Sequence, residues 1–193
     1  MGNTVTNVSA GKPAIGGAIF HAPLGTTLPE DAPSTLNEAF VCLGYCSDDG
    51  LVNSNSPESS VIKAWGGDTV LSIQESKDDT FKFTLIEVLN PDVLSAIYGS
   101  DNVTGNLSTG IKIVSNSDEP EEGAWVIDMI MRNGVFKRIV IPDAKVSEVG
   151  DITYSDSDAV GYETTLQCMP DSDGTTHIEY IVAPSSSTSE SEG

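Results

Sequence analysis

The sequence predicts a mainly β chain: antiparallel strands with one short helix lying on the sheet. Short runs rich in Val, Ile, Phe and Thr alternate with Gly, Pro, Asn and Asp punctuation. Asn133-Gly134 stands between two β-branched runs, 124–132 and 135–142, which is the pattern of a two-residue hairpin whose central residues both need positive φ. One segment carries helix signals at both ends. Asn90 is placed to cap, Pro91 fits the first helical position, Asp92 complements the dipole and Gly99 stops the helix.

In chain order, residues 1–14 read as a small, polar arm, and 16–23 as a first strand closed by Pro23. His21 at its end reads as structural. Prolines 23, 29 and 33 mark an irregular loop from Leu24 to Ser34, and 40–45 reads as a short strand bent at Gly44. Ser47 to Ser60, rich in Asp, Asn and Ser, predicts a long connection; the segment 44–60 is expected to protrude as a loop with Leu51-Val52 in its middle. Residues 61–75 read as two strand segments broken at Gly66-Gly67, with Lys77-Asp78-Asp79 as the turn into a strand whose Phe81, Phe83 and Leu85 share one face. Strands follow at 111–114 and 144–149. Residues 159–168 are expected to pair with 175–182 across Asp171–Gly174, and the Ser/Glu-rich stretch 184–193 is too polar to fold. The domain plan is thus an arm over 1–14, one domain over 15–183 and a disordered tail.

A two-residue turn at Asn133-Gly134 sets Arg132 against Val135, Asp128 against Ile139 and Ile127 against Val140. One face then carries Trp125, Ile127, Met129, Met131, Phe136 and Val140, with Arg138 as its only charge. The other carries Val126, Ile130, Ile139 and Ile141 around Asp128 and Lys137, which lie diagonally and are expected to pair. That second face is too apolar for solvent and too charged for an ordinary core. It requires cover, either from the same chain or from another copy of it.

The formal charge is −20, from nine basic and 29 acidic residues. Affinity for nucleic acid and for anionic membranes comes from Lys and Arg, so the chain is not expected to grip either; like charge would repel DNA passing close by. No run approaches the roughly 20 apolar residues of a membrane span, and the N-terminus lacks the basic and apolar regions of a signal peptide. Cys42, Cys46 and Cys168 show no metal-ligand spacing; on one strand Cys42 and Cys46 would lie roughly 13 Å apart, too far to bridge, and all three read as reduced. Phosphate-binding glycine loops and Gly-x-Ser-x-Gly are absent. Asp171–Gly174 fails the calcium-loop pattern, because the twelfth position is Tyr180. Cys168 and His177 could meet across the last hairpin but carry no activating signature. No catalytic residue, cofactor or metal is expected.

Two stretches, 64–98 (Ala64-Trp65-Gly66-Gly67-Asp68, Phe81–Glu87 and the helix at 90–98) and 124–164 (Ala124-Trp125-Val126-Ile127, Arg138–Ala144, Val149–Ile152 and Gly161–Thr164), resemble the major tail tube protein of long-tailed, siphovirus-type bacteriophages. The resemblance spans roughly residues 15–182 and rests on the order of its pieces. It implies an antiparallel β-sandwich or partial barrel with one flanking helix, six copies closing into rings, and rings stacking into a tube. Such a tube conducts the genome to the host without holding it and is assembled with tape-measure, terminator and distal tail proteins. The implied location is the virion tail, after synthesis in the bacterial cytoplasm, with no membrane partner. Leu51, Val52, Trp65, Val126, Asp128, Ile130, Lys137 and Ile139 are the expected subunit contacts. The alternative is a carbohydrate-binding or adhesin-like β-sandwich, which predicts a groove lined by exposed aromatics.

Overall fold

A computed structural model describes residues 2–184. The expected tail over 184–193 lies, apart from Pro184, outside the described residues. The described residues form an antiparallel β-sandwich of eleven strands and one α-helix. The strands are β1 (Lys12–Pro13), β2 (Ile19–Pro23), β3 (Val41–Cys42), β4 (Val52–Lys63), β5 (Thr69–Leu85), β6 (Val103–Asn106), β7 (Gly110–Ile113), β8 (Gly123–Ile130), β9 (Phe136–Val149), β10 (Tyr162–Cys168) and β11 (Ile178–Val182); α1 is Pro91–Tyr98. Hydrogen bonding runs in the order β3-β2-β8-β9-β10-β5-β4, with β1 beside β8, β11 beside β9, and β6-β7 as a separate pair.

β9 makes the sandwich. Its first half, Phe136 to Val140, lies between β8 and β11, whereas Ala144 to Val149 pairs with β10. The change of partners falls at Pro142-Asp143, opposite a bulge in β8 between Gly123 and Trp125. A proline cannot donate to a ladder and a bulge bends its strand, so together they turn the corner between the two layers. Phe81, Phe83 and Leu85 of β5 meet Trp125 and Ile127 of β8 and Ile139 and Ile141 of β9 in the main core between the layers. The Phe83 and Trp125 rings lie 6.3 Å apart, a favourable tilted contact.

The helix forms as its signals predict. The Asn90 side chain accepts a hydrogen bond from Asp92 N at 3.0 Å, and Gly99 (φ 89°) donates its N–H back to Ser95 O. Val93, Leu94 and Ile97 are buried in the main core, which holds so short a helix in place. Tyr98 meets Tyr162 of β10 edge-on at 5.9 Å. Asn90→Ala removes the cap and is expected to lower stability by about 1 kcal/mol, read as a shift in the urea midpoint at unchanged slope.

Three sequence expectations are corrected. The hairpin at Asn133-Gly134 has both residues at positive φ (61° and 75°), as a tight turn needs, but the loop is one residue longer and starts at Arg132. Ile130 therefore faces Phe136, Asp128 faces Arg138, and Ile127 faces Ile139. A slip of one residue re-sorts the faces of the two strands. Asp128 does not pair with Lys137, which instead bridges Glu179 of β11 at 2.8 Å. Second, residues 52–60 are not loop but strand, joined to the expected segment at 61–63 as β4 and paired with β5; the break at Gly66-Gly67 separates β4 from β5, and Lys77-Asp78-Asp79 is not a turn but sits inside β5. Third, β11 does not pair with β10. The turn at Asp171 forms, with the Asp171 carboxylate accepting from the Asp173 and Thr175 N–H groups, but the chain then crosses to β9.

Candidate assembly surface

Two features stand out: an outer face of β8 and β9 that the chain covers itself, and a projecting ribbon that it leaves open. The outer face of β8 and β9 carries Ala124, Val126 and Val140, and Phe40 packs on it with Leu28 and Leu36 of the segment between β2 and β3. The chain thus covers this face itself. Beneath the cover, Arg138 makes two parallel hydrogen bonds to Asp128, Nε to Oδ1 and Nη2 to Oδ2, both 2.8 Å. Its Nη1 donates to Ser34 O at 2.7 Å and Asp31 O at 3.3 Å. The guanidinium thus ties the 24–40 segment to the sheet, and the planar fork explains why Arg rather than Lys stands there.

The ribbon is the β4–β5 hairpin. β5 leaves the sheet after Thr80, its last residue paired with β10, and β4 joins it at Val52 opposite Lys82. Beyond that point the two strands pair only with each other. Eleven of the twelve β4 residues are exposed. The half nearest the body is polar: Ser54, Asn55 and Ser56 face Thr80, Asp79 and Asp78, and Asn53 stands opposite the core residue Phe81 where the ribbon leaves the body. The far half is apolar on both faces. Ile62 stands opposite Leu71, Val61 and Val70 occupy the other side, and Trp65 at the turn is fully exposed. Pro57 sits in β4, the edge strand, where its missing donor costs nothing and discourages unintended pairing.

A buried carboxylate anchors the ribbon where it leaves the sheet. Asp79, 1 % exposed, accepts hydrogen bonds from Asn53 Nδ2 of β4 (2.8 Å), Thr176 Oγ1 (2.6 Å) and His177 Nδ1 (2.5 Å). Because an ionised carboxylate only accepts, the His177 proton in this contact is on Nδ1. Burial pushes the Asp79 carboxyl up, but the three donors outweigh it and hold its pKa below the ordinary value. The Asp79 contribution to stability is therefore present above the unfolded carboxylate pKa of about 3.9 and is lost as pH falls through the lower folded value. Asp79→Asn places an amide where three donors converge and is expected to cost about 1–3 kcal/mol at pH 7. The difference from wild type should shrink below about pH 4; thermal melts at pH 7 and pH 3 check both statements.

The expected contact residues fall into separate places. Val52 and Trp65 are exposed on the hairpin, while Leu51, just before it, packs on the main core. Val126 and Asp128 lie under the 24–40 segment, and Ile139 is buried in the main core. Ile130 and Lys137 are half-buried at the turn end of β8 and β9. Sequence reasoning missed Ile62, Leu71 and Ile73 as tip residues: the break at Gly66-Gly67 carried the signal, but a loop over 44–60 and a turn at 77–79 hide the length of the two strands that carry it outward. The two tryptophans separate just as sharply, Trp125 in the core and Trp65 at a hairpin end, so they do not line a sugar-binding groove together. Cys42, Cys46 and Cys168 are free thiols. Burial, with Asp79 and Asp143 nearby, pushes Cys168 up to about 12, the reverse of an activated nucleophile, and His177 is engaged by Asp79.

No curated protein matches the chain. A family model described as phage tail tube protein matches residues 5–190. That match takes in the sandwich, the helix and the projecting hairpin together, and the chain belongs to the phage tail tube protein family, as a structural component of a virion tail.

Proposed function

We propose that this subunit polymerises with copies of itself into stacked hexameric rings, and that the resulting tube conducts phage DNA into the host. The observation that carries this reading is the far half of the β4–β5 hairpin, apolar on both faces and tipped by Trp65, and exposed among the described residues. Contiguous exposed apolar surface of this kind marks an interaction site. Tape-measure, terminator and distal tail proteins would set the length and ends of the tube.

The charge balance fits both roles. At −20, free subunits repel one another and stay dispersed, and a wall built from them repels DNA. Salt screens this repulsion, with a Debye length of about 8 Å near physiological ionic strength. Negative-stain electron microscopy of purified protein, concentrated across a salt series, should therefore show rings or tubes that increase with ionic strength. A strictly monomeric particle under every condition would overturn the reading.

A further inference from the structure

We propose that the hairpin tip of one subunit seats in a groove on a second copy, formed between the 13–18 loop and the 42–51 segment, with Trp65 entering between Ile15 and Tyr45. The proposal rests on the self-assembly reading above and specifies where the tip goes.

The groove consists of two adjoining cavities, about 310 and 610 Å³, which share Pro13, Ala18 and Cys46 in their walls. The smaller is lined by Leu51, Phe83, Met129 and Met131. Thioether side chains adapt to an inserted apolar group, so this wall suits an aromatic or branched knob. Ile15 and Tyr45 at the larger cavity are both exposed, although neither is needed to cover the core. The volumes fall in the range of ordinary binding pockets and would accept an indole.

The placement of groove and tip decides the occupant. The wall includes Ser47, Gly50 and Leu51, directly before β4 begins. The tip follows twelve strand residues later, about 40 Å away at roughly 3.3 Å per residue. A ribbon paired along its whole length cannot fold back to its own root, so tip and groove can meet only between copies. A contact between two different patches is heterologous: where the rotation between copies closes it makes a ring, and where it does not, as between stacked rings, a free tip and a free groove remain at the ends and allow continued growth.

Charge is matched as well. Lys63 and Asp68 flank the turn, with Ala64 N donating to Asp68 O at 2.7 Å. Lys12 lines the smaller cavity, and Glu87 lines the larger, held by Tyr45 N at 3.0 Å and Asn90 Nδ2 at 3.2 Å. Lys137 and Asp128 also border the smaller cavity but are engaged by Glu179 and Arg138, so tip and groove each still offer a lysine and a carboxylate. In a chain so short of basic residues, a lysine on each side of one contact offsets part of the repulsion between copies.

Cys42 and Cys46 line this groove and serve as native probes. In the full chain, Ala64→Cys places a thiol beside the tip without removing Trp65. Copper(II)–phenanthroline then takes two electrons from the pair of thiols as the disulfide forms, and two protons pass to water. Assembled material should give a ladder of covalent multimers, lost when Cys42→Ser and Cys46→Ser are added. In unaltered protein, maleimide labelling of Cys42 and Cys46 should be lost on assembly. Tubes that form while the ladder is absent, or while both cysteines label as in dispersed subunits, overturn the docking site and leave the self-assembly reading standing. Absence of any assembly from unaltered protein overturns that reading and the docking site with it.

Discussion

Ile62→Ser, Trp65→Ser and Leu71→Ser combined leave a folded subunit that no longer polymerises. These side chains lie on the distal half of the ribbon, where Ile62 and Leu71 face each other across β4 and β5 and Trp65 ends the turn. None belongs to either core cluster, so the melting temperature of the dispersed subunit should hardly move. Each large apolar side chain buried between copies is worth about 1.5–3 kcal/mol, so removing three costs about 4.5–9 kcal/mol per contact. At 1.4 kcal/mol per factor of ten, the concentration needed for assembly should rise by about three orders of magnitude or more. Pelleting assays across a concentration series, read beside circular dichroism, separate loss of assembly from loss of fold. Polymerisation at the unaltered concentration would remove the hairpin tip from the assembly contact.

Arg138→Ala acts on the fold itself. The guanidinium and Asp128 are both buried, with side-chain exposures of 5 % and 8 %. Removing one partner leaves a charged carboxylate without a counterion in a low-dielectric site, which costs about 3–5 kcal/mol. For a chain of this size that corresponds to a fall of roughly 6–20 °C in melting temperature. Replacing both partners, Asp128→Leu with Arg138→Met, removes the desolvation cost as well and should restore most of the loss or exceed it. The double variant still lacks the donors to Ser34 O and Asp31 O. Its melting temperature should recover while the 24–40 segment becomes newly sensitive to limited proteolysis. Equal proteolytic resistance in the double variant would mean that Phe40 and its apolar neighbours hold that segment unaided.

The sequence carried the parts of the fold that depend on local chemistry. The helix and its caps, the alternation of Phe81, Phe83 and Leu85, and the positive φ at Asn133 and Gly134 all follow from a few neighbouring residues. What was not legible depended on partners far away in sequence. Asn53 to Ser60 has poor strand propensity and becomes strand only because β5 lies alongside it. Lys77-Asp78-Asp79 looks like a turn, but Asp79 is stabilised within a strand by Asn53, Thr176 and His177, two of them nearly a hundred residues away. The register of β8 against β9 turned on a single loop residue, which the Asn-Gly pair does not determine. The same slip hid the Asp128–Arg138 pair, since Arg138 had been placed on the opposite face. The exposed hairpin proposed as the assembly surface was legible through Trp65 and Val52, and through the unusual length of the segment that bears them.

The Asp79 cluster has a mechanical consequence. It sits at the fulcrum of a long, thin arm: on one side β5 is pinned by β10, and on the other Thr69 to Asp78 extend roughly 33 Å to the tip. Over that length, a swing of about 10° at the fulcrum displaces Trp65 by roughly 6 Å, more than the width of a strand spacing. Small angular errors at the base are thus amplified into misses at the far end. The aim of the arm is controlled from one carboxylate, and in the proposed assembly changes at Asn53, Thr176 or His177 would reach the neighbouring subunit through leverage, without touching it.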